Sequence, residues 1–232
     1  MRLFLINVWN DRAQRGHLRS QNHNRPWYRY AAVLLQRVQN DARLPALDVG
    51  CGVGEFMRTL TQMGFEAQGV DGNSEQISRV RDAGFRATVA DLENELPFED
   101  ESFALVTCLE VIEHIARAEF FLSELYRILR PAGYLLLSTP NFAFFNNRLH
   151  YLLGMAPYNE GVHLRYFTKS RLDGAIKHAG FNLMARNSYG VLPFISTISS
   201  RIPKVGPILW QVPNYLESLL AYDLILLAQK PF

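Results

Sequence analysis

The sequence predicts an α/β fold: a doubly wound, mostly parallel sheet of seven strands with helices on both faces. Short apolar runs alternate with amphipathic stretches of helical length from residue 44 onward, and glycines follow several of those stretches. This alternation is typical of βαβ units, whose right-handed crossovers place helices on both sides of a parallel sheet. A chain of 232 residues is close to the usual domain size, so we expect residues 1–232 to form a single domain.

The predicted strands and helices follow from local patterns. The strands are the apolar runs at residues 44–49, 66–70, 86–90, 103–109, 134–138, 181–188 and 224–228. Helix patterns lie between them at residues 54–63, 74–83, 119–129 and 169–179. Gly64, Gly84 and Gly180 follow three of these patterns, where a left-handed helix terminus favours glycine. Ser74 and Thr168 are the predicted N-caps.

Two flanking segments lack this alternation of strand and helix patterns. Residues 1–40 are predicted to form a basic arm and a helix that begins near Pro26, a residue favoured in a first helical turn. Residues 190–221 hold four prolines among apolar clusters, which predicts an insertion before the last strand. Its simplest interpretation is packing on its own domain; lining a substrate site, dimerising and lying against a membrane surface are the alternatives. The remaining core spans residues 44–189.

Composition excludes several classes of protein. The 24 basic and 22 acidic residues give a net charge of +2, which is too small to indicate a nucleic-acid binder by itself. Only two cysteines occur, Cys51 and Cys108, which rules out a disulfide scaffold and a four-cysteine zinc site. No apolar run reaches the ~18 residues of a membrane span, and the short apolar opening lacks a cleavage site. We therefore expect a soluble, cytoplasmic protein with at most peripheral membrane contact.

A glycine-rich turn joins the first predicted strand to its helix. The sequence Asp48-Val-Gly50-Cys51-Gly52-Val-Gly54 places glycines where a backbone must bend sharply and approach a ligand closely. A dinucleotide-binding Gly-x-Gly-x-x-Gly loop would need its third glycine at position 55, where a glutamate stands. No Gly-Lys-Ser/Thr follows either, so the turn is not a phosphate-binding P-loop. This spacing argues against a nicotinamide-dependent enzyme.

Acidic residues follow the next three predicted strands. Asp71 ends the second strand about 20 residues beyond the glycine turn, where a carboxylate can bind ribose hydroxyls. Asp91 follows the third strand and Glu110 the fourth. The carboxyl ends of parallel strands meet at one edge, where open α/β sheets bind ligands. The acidic residues therefore predict a ligand site at that edge, with ribose at Asp71 and an adenine amino group near Asp91.

Together with Leu129-Arg130-Pro131-Ala132-Gly133, these motifs resemble the class I S-adenosylmethionine-dependent methyltransferases, whose sheet is Rossmann-like. The resemblance covers roughly residues 44–189. It implies S-adenosyl-L-methionine as cofactor and S-adenosyl-L-homocysteine as product. The implied cofactor contacts are Asp48, Gly50, Cys51, Gly52 and Gly54 at the methionine part, Asp71 and Gly72 at the ribose, Asp91 and Leu92 at the adenine, and Leu109 and Glu110 near the methionine.

Two further motifs, Glu110-Val-Ile-Glu113-His114 and His163-Leu-Arg-Tyr-Phe-Thr168, resemble a narrower branch. This branch includes ubiquinone-pathway O-methyltransferases and methyltransferases found with surface-polysaccharide genes. The resemblance implies methyl transfer to an oxygen of a small-molecule, glycan or lipid-linked acceptor, with a nitrogen as the alternative. We predict that His114 or His163, beside Glu113, removes the acceptor's proton or orients the acceptor, because histidine titrates near neutrality. Related small-RNA ribose methyltransferases hold a divalent metal with such residues; here we favour no metal, and that alternative stays open.

Other functions remain open on the sequence alone. An RNA ribose methyltransferase would use the arginines of the N-terminal arm on phosphates, and a non-catalytic cofactor-binding subunit would regulate a partner without turnover. The Asn-Pro-Pro-aromatic motif of DNA-adenine methyltransferases is absent after the fourth strand. The acceptor is not encoded in a readable motif. Aromatic residues that either pack in the core or line an acceptor site are Phe142, Phe144, Phe145, Tyr151, Tyr158 and Tyr166.

Overall fold

The computed structural model describes residues 25–38, 43–156, 163–191 and 209–232. Its helices are α1 (Pro26–Leu35), α2 (Glu55–Gln62), α3 (Ser74–Asp82), α4 (Ala118–Ile128), α5 (Phe145–Leu152), α6 (Lys169–His178) and α7 (Glu217–Leu220), with a 3₁₀ turn at Ile112–His114. Its strands are β1 (Pro45–Val49), β2 (Glu66–Asp71), β3 (Arg86–Val89), β4 (Phe103–Leu109), β5 (Leu129–Pro140), β6 (Asn182–Arg186), β7 (Tyr189–Val191), β8 (Leu209–Gln211) and β9 (Asp223–Gln229).

These strands form one sheet in the order β3-β2-β1-β4-β5-β9-β7-β8, and β6 also pairs with β9. Strands β1 to β5 pair in parallel, whereas β9 runs antiparallel to β5, β6 and β7. The predicted α/β class with a mostly parallel sheet is thereby confirmed. The strand order reverses between β1 and β4, which creates the crevice at which such sheets bind ligands.

The described part of the chain contributes nine strands to the sheet, where seven were predicted. All seven predicted strands are present, and β5 extends beyond its predicted bounds at both ends. The additional strands, β7 and β8, have three residues each and pair with one another. Three residues are too few to show the alternation from which a strand is predicted. The predicted insertion at 190–221 therefore joins the sheet through β8; its residues 192–208 lie outside the described ranges.

Helices cover both faces of the sheet, as predicted. On one face, α4 and α6 contribute Phe121, Leu125 and Ile176 to a core shared with β4 and β5. On the other face, α1 and α2 bury Leu34 and Phe56. Strand β4 is buried along its whole length, as expected for the centre of a sheet that is covered on both sides. This burial fixes the register of the strands whose ends carry the candidate site.

Helix termini follow local sequence chemistry. The three glycines predicted at helix ends have left-handed φ values between 87° and 93°. Thr168 caps α6 through its side chain, also as predicted. The predicted cap Ser74 is wrong, because the side chain of Asn73, one residue earlier, accepts hydrogen bonds from the backbone of Glu75 and Gln76. Asparagine binds these free amides as well as serine does.

The N-terminal helix begins at Pro26, as the sequence predicted, whereas the basic arm at residues 1–24 lies outside the described ranges. Helix α5 was not among the predicted helices. Within the described ranges, no helix has both the length and the apolar character that crossing a bilayer requires.

Candidate active site

Three glycines shape the turn between β1 and α2. Gly50, Gly52 and Gly54 lie in the left-handed region, with φ of 70°, 54° and 76°. A Cβ at Gly50 would collide with Val111, whereas a Cβ at Gly52 would meet only Oε1 of Gln76, at 3.7 Å. The turn therefore presents bare main chain at the carboxyl edge of the sheet, where a ligand can approach it closely.

The neighbouring strand β2 holds this turn in place. The backbone N–H groups of Gly50 and Cys51 donate to Val70 O at 2.8 and 3.2 Å. The Cys51 side chain is buried against Gly69, whose missing Cβ leaves room for the sulfur. Burial raises the pKa of the Cys51 thiol, so the thiol stays neutral at physiological pH. Any contact from Cys51 to a ligand would therefore come from its backbone.

Asp71, at the end of β2, contacts the glycine turn directly. Its Oδ2 accepts a hydrogen bond from Gly52 N at 3.0 Å, and its Oδ1 accepts one from Asn73 N at 2.8 Å. The carboxylate is buried, with 4% of the residue exposed. Two predicted site residues, Asp71 and Gly52, are thus brought together, and both carboxylate oxygens have fixed positions.

Asp48 is buried in β1 and accepts a 2.6 Å hydrogen bond from Thr107 Oγ1 of β4. Burial raises the pKa of Asp48 from 3.8 to about 7; the Thr107 hydrogen bond opposes this rise, and the nearby Asp71 adds to it. A buried carboxyl that ionises near neutrality favours a cationic group beside it, such as an ammonium or a sulfonium.

The other predicted nucleoside contacts lie toward the rim. Asp91 is exposed, and its carboxylate oxygens accept hydrogen bonds from Glu93 N and Asn94 Nδ2 at 3.0 and 2.8 Å. Leu92 is half-buried against the core, and Gly72 is exposed between β2 and α3. The Asp91 carboxylate is therefore engaged in its own turn, so any adenine contact would have to share it.

Leu109 and Glu110 lie at the end of β4. Glu110 adopts a left-handed φ of 58°, which is uncommon for a residue with a side chain. Ser138 Oγ of β5 donates to the Glu110 carboxylate at 2.6 Å and accepts from Glu110 N at 3.1 Å. Burial, together with Asp223 and Glu113, raises the pKa of Glu110 well above its usual range. Backbone strain combined with a perturbed pKa is typical of functional sites.

The three predicted catalytic residues meet at one point. The ring centroids of His114 and His163 are 5.0 Å apart, and His114 Nε2 is 3.9 Å from Glu113 Oε1. One ligand atom from each residue lies within 4.8 Å of the other two. This set of one carboxyl and two imidazoles can exchange protons with a bound acceptor, and its donor types also suit a divalent cation.

Burial sets the protonation of these groups. Glu113 is 2% exposed, accepts a 3.1 Å hydrogen bond from Thr139 Oγ1, and has its pKa raised to about 8 by burial. Burial and then the neighbouring His114 lower the pKa of His163. At neutral pH the result is a protonated Glu113 and a neutral His163 imidazole, which can accept a proton.

A small cavity, with room for about one water molecule, opens beside His163. Phe142 and Tyr166 line it, with ring centroids 4.3 Å apart, and Tyr151 meets Phe142 edge-on at 5.7 Å. Tyr151 and Tyr166 are exposed, so these aromatic residues are not core residues. Tyr158, another aromatic candidate, lies outside the described ranges.

Sequence reasoning missed Ser138, Thr139 and Asp223. Strand β9 runs antiparallel to β5, so its first residue, Asp223, lies opposite Pro140 at the edge where the parallel strands end. Asp223 is buried and accepts a hydrogen bond from Tyr189 Oη. The available signal was an acidic residue at the start of the last apolar run.

Comparisons with known proteins agree with this geometry. A family described as "Methyltransferase domain" matches residues 21–185. The ubiquinone biosynthesis O-methyltransferase of Rickettsia prowazekii is 29% identical over 181 residues, which cover 72% of this chain and 69% of that protein. The enzyme of the same name from Azorhizobium caulinodans is 31% identical over 170 residues, 65% of this chain and 66% of that protein.

Solved structures share the fold. A SAM-dependent methyltransferase of Thermotoga maritima, described as a possible histamine N-methyltransferase, superposes with a TM-score of 0.65 at 19% identity and covers 98% of both chains. One from Archaeoglobus fulgidus gives a TM-score of 0.62 at 19% identity, covering 88% of this chain and 94% of that one. The family model matches most of the chain, and the glycine turn and the acidic strand ends agree with that match. The chain therefore belongs to the class I S-adenosylmethionine-dependent methyltransferases.

Proposed function

We propose that this methyltransferase transfers the methyl group of S-adenosyl-L-methionine to an oxygen of a small-molecule, glycan or lipid-linked acceptor. The observation that carries the proposal is the pairing of His114 with His163, whose ring centroids are 5.0 Å apart, beyond the carboxyl end of β4, where the candidate cofactor residues also lie. The choice of oxygen is supported by the two relatives above, both of which are named O-methyltransferases.

The reaction divides into alignment and proton removal. The cofactor supplies the activated methyl group. The sulfur–carbon bond breaks as the oxygen–carbon bond forms, and the hydroxyl proton passes to a base. Alignment by the protein lowers the activation free energy by ~7–11 kcal/mol, and a general base raises the rate by ~10²–10⁴-fold. His163 suits the base, because its lowered pKa keeps the ring neutral and able to accept that proton.

The acceptor, in this proposal, lies against the aromatic cavity beside His163. Phe142 and Tyr166 offer ring faces there, and an acceptor with a planar ring or a sugar face would stack on them. The hydroxyl to be methylated would then point toward the two histidines. Asp48, Asp71 and the glycine turn would hold the cofactor on the opposite side of that hydroxyl.

Single substitutions test the role of the histidines. We expect His163→Ala or His114→Ala to lower kcat by about 100-fold while cofactor affinity stays the same, because neither residue is placed at the cofactor. His178→Ala, an exposed histidine on α6, is the matched control and should retain full activity. Turnover of His163→Ala within about threefold of the unchanged protein would contradict the assignment.

The acceptor class is tested with methyl-labelled cofactor and a panel of phenols, sugars, lipid-linked hydroxyls, amines and short RNA. Label in a hydroxyl compound is the expected result. Label confined to RNA, with rates that fall steeply as salt rises, would indicate the ribose methyltransferase alternative. Cofactor binding with no label transferred from any extract would indicate a non-catalytic subunit.

A further inference from the structure

The segment that carries His163 is bound to the segment that carries His114. The backbone N–H groups of Leu164 and Arg165 both donate to Glu113 O, at 2.8 and 3.0 Å. Glu113 immediately precedes His114, so these two bonds connect the neighbours of both imidazoles. Both bonds end on one carbonyl oxygen, so they set the distance between the two segments better than their relative direction.

The Arg165 side chain supplies a second anchor. Its guanidinium donates to Ala116 O, through Nε at 2.9 Å and also through Nη2, and it pairs with the Glu119 carboxylate at 3.1 Å. Ala116 lies between the 3₁₀ turn that holds His114 and the start of α4. A planar guanidinium with two donors on one oxygen fixes direction as well as distance.

The two halves of this anchor differ in strength. Glu119 is 75% exposed at its side chain, so its ion pair with Arg165 is screened by water and worth little. The bonds to the Ala116 carbonyl involve a charged donor and a fixed acceptor, which makes them the stronger part. The segment is also fixed beyond Arg165, because Phe142 N donates to the carbonyl of the buried Phe167 at 2.8 Å.

We infer that Arg165 is a positioning residue for the reaction: it holds His163 against His114 and acts through that imidazole. The inference rests on the proposed function, since it assumes that the two histidines serve methyl transfer. A shift of ~1 Å in a catalytic group can cost about 100-fold in rate, so losing one anchor of His163 has a measurable effect.

Arg165→Ala tests the inference in the full-length protein. We expect kcat to fall about 10- to 100-fold, with the Kd for S-adenosyl-L-homocysteine within about twofold of its original value. Arg165→Lys, which keeps the positive charge and a single donating nitrogen, should recover part of the lost kcat. Arg171→Ala is the control: this exposed arginine lines the same surface as Arg165, but among the described residues its guanidinium reaches only Tyr166 O, at 3.5 Å. It should retain normal kcat.

A double substitution separates a positioning role from general destabilisation. In the His163→Ala background, Arg165→Ala should lower kcat little further, because the imidazole that Arg165 positions is already absent. By NMR, the Overhauser contact between the rings of His114 and His163 should weaken in Arg165→Ala and persist in Arg171→Ala. If Arg165→Ala does not fold, Arg165→Lys and Arg165→Gln are measured in the same cycle.

The outcomes distinguish this inference from the proposed function. Normal turnover of His163→Ala would overturn both. A slow His163→Ala variant together with a normal Arg165→Ala variant would overturn the inference alone. An equal further loss when Arg165→Ala is added to His163→Ala would also overturn it, because the arginine would then act independently of the imidazole.

Discussion

The backbone N–H of Gly52 donates a 3.0 Å hydrogen bond to Oδ2 of Asp71, which joins the glycine turn to the end of the second strand. The other oxygen of Asp71 is held by Asn73 N, so the carboxylate has one orientation before any cofactor binds. A group that is already ordered costs little conformational entropy on binding. Backbone N–H groups therefore hold both oxygens of this buried carboxylate.

We expect Asp71→Asn to raise the Kd for S-adenosyl-L-methionine about 10- to 100-fold, because an amide loses one charged acceptor for the ribose hydroxyls. Asp91→Asn should raise that Kd less than about threefold, since the Asp91 carboxylate is exposed and water competes for its hydrogen bonds. Isothermal titration calorimetry of both variants measures the difference. Equal effects would contradict the ranking of the two acidic residues.

Gly52→Ala should reduce the free energy of cofactor binding far more than it reduces the free energy of unfolding. Its φ of 54° costs an L-residue ~1–2 kcal/mol, but the added Cβ meets only Gln76 Oε1 and otherwise projects where the ligand approaches. Gly84→Ala is a matched control, because Gly84 has a φ of 87° and open space around it, and it precedes the amino end of β3, opposite the carboxyl edge of the sheet. The two variants should lose similar amounts of thermal stability. Calorimetry should show weaker cofactor binding only for Gly52→Ala.

Asp48 predicts a pH dependence of both stability and binding. Burial raises its folded-state pKa from 3.8 to about 7. The stability that the protonated carboxyl contributes is fully present below pH 3.8 and is lost as the pH rises through about 7. A cationic cofactor favours the ionised form, so its affinity should rise by about tenfold from pH 6 to pH 8.

The control for this pH dependence is Asp48→Asn, which keeps the shape of the side chain and removes its titration. Cofactor affinity in that variant should be weaker and nearly independent of pH over the same range. Thermal unfolding of the cofactor-free variant should likewise lose less stability between pH 4 and pH 7. If the variant retains the full pH dependence, another group is responsible for it.

Dialysis against EDTA should leave the methyl transfer rate unchanged within about twofold, and added Mg²⁺, Mn²⁺ or Zn²⁺ should not raise it. The reason is that a cation would first have to displace the proton of the buried Glu113, whose pKa burial raises to about 8 in the metal-free site. Loss of activity that one of these cations restores would show that Glu113, His114 and His163 bind a metal after all.

Local patterns predicted much of the fold and part of the site. The glycine turn, the ends of β1, β2 and β4, and the left-handed helix termini depend on residues that are close in sequence, so spacing reveals them. The cap at Ser74 was wrong by one residue because Asn73 competes for the same amides. The strands β7 and β8 were missed because three residues carry no periodic signal.

The sequence by itself determined which edge of the sheet carries the candidate cofactor residues, because the ends of parallel strands and the glycine turn meet there whatever the details of packing. Only the tertiary structure decided which side chains are free to act at that edge. It brought Asp223 to the edge through the antiparallel strand β9 and placed His163 beside His114. These relationships join residues far apart in the chain, so they depend on packing and long-range hydrogen bonds that no local pattern encodes.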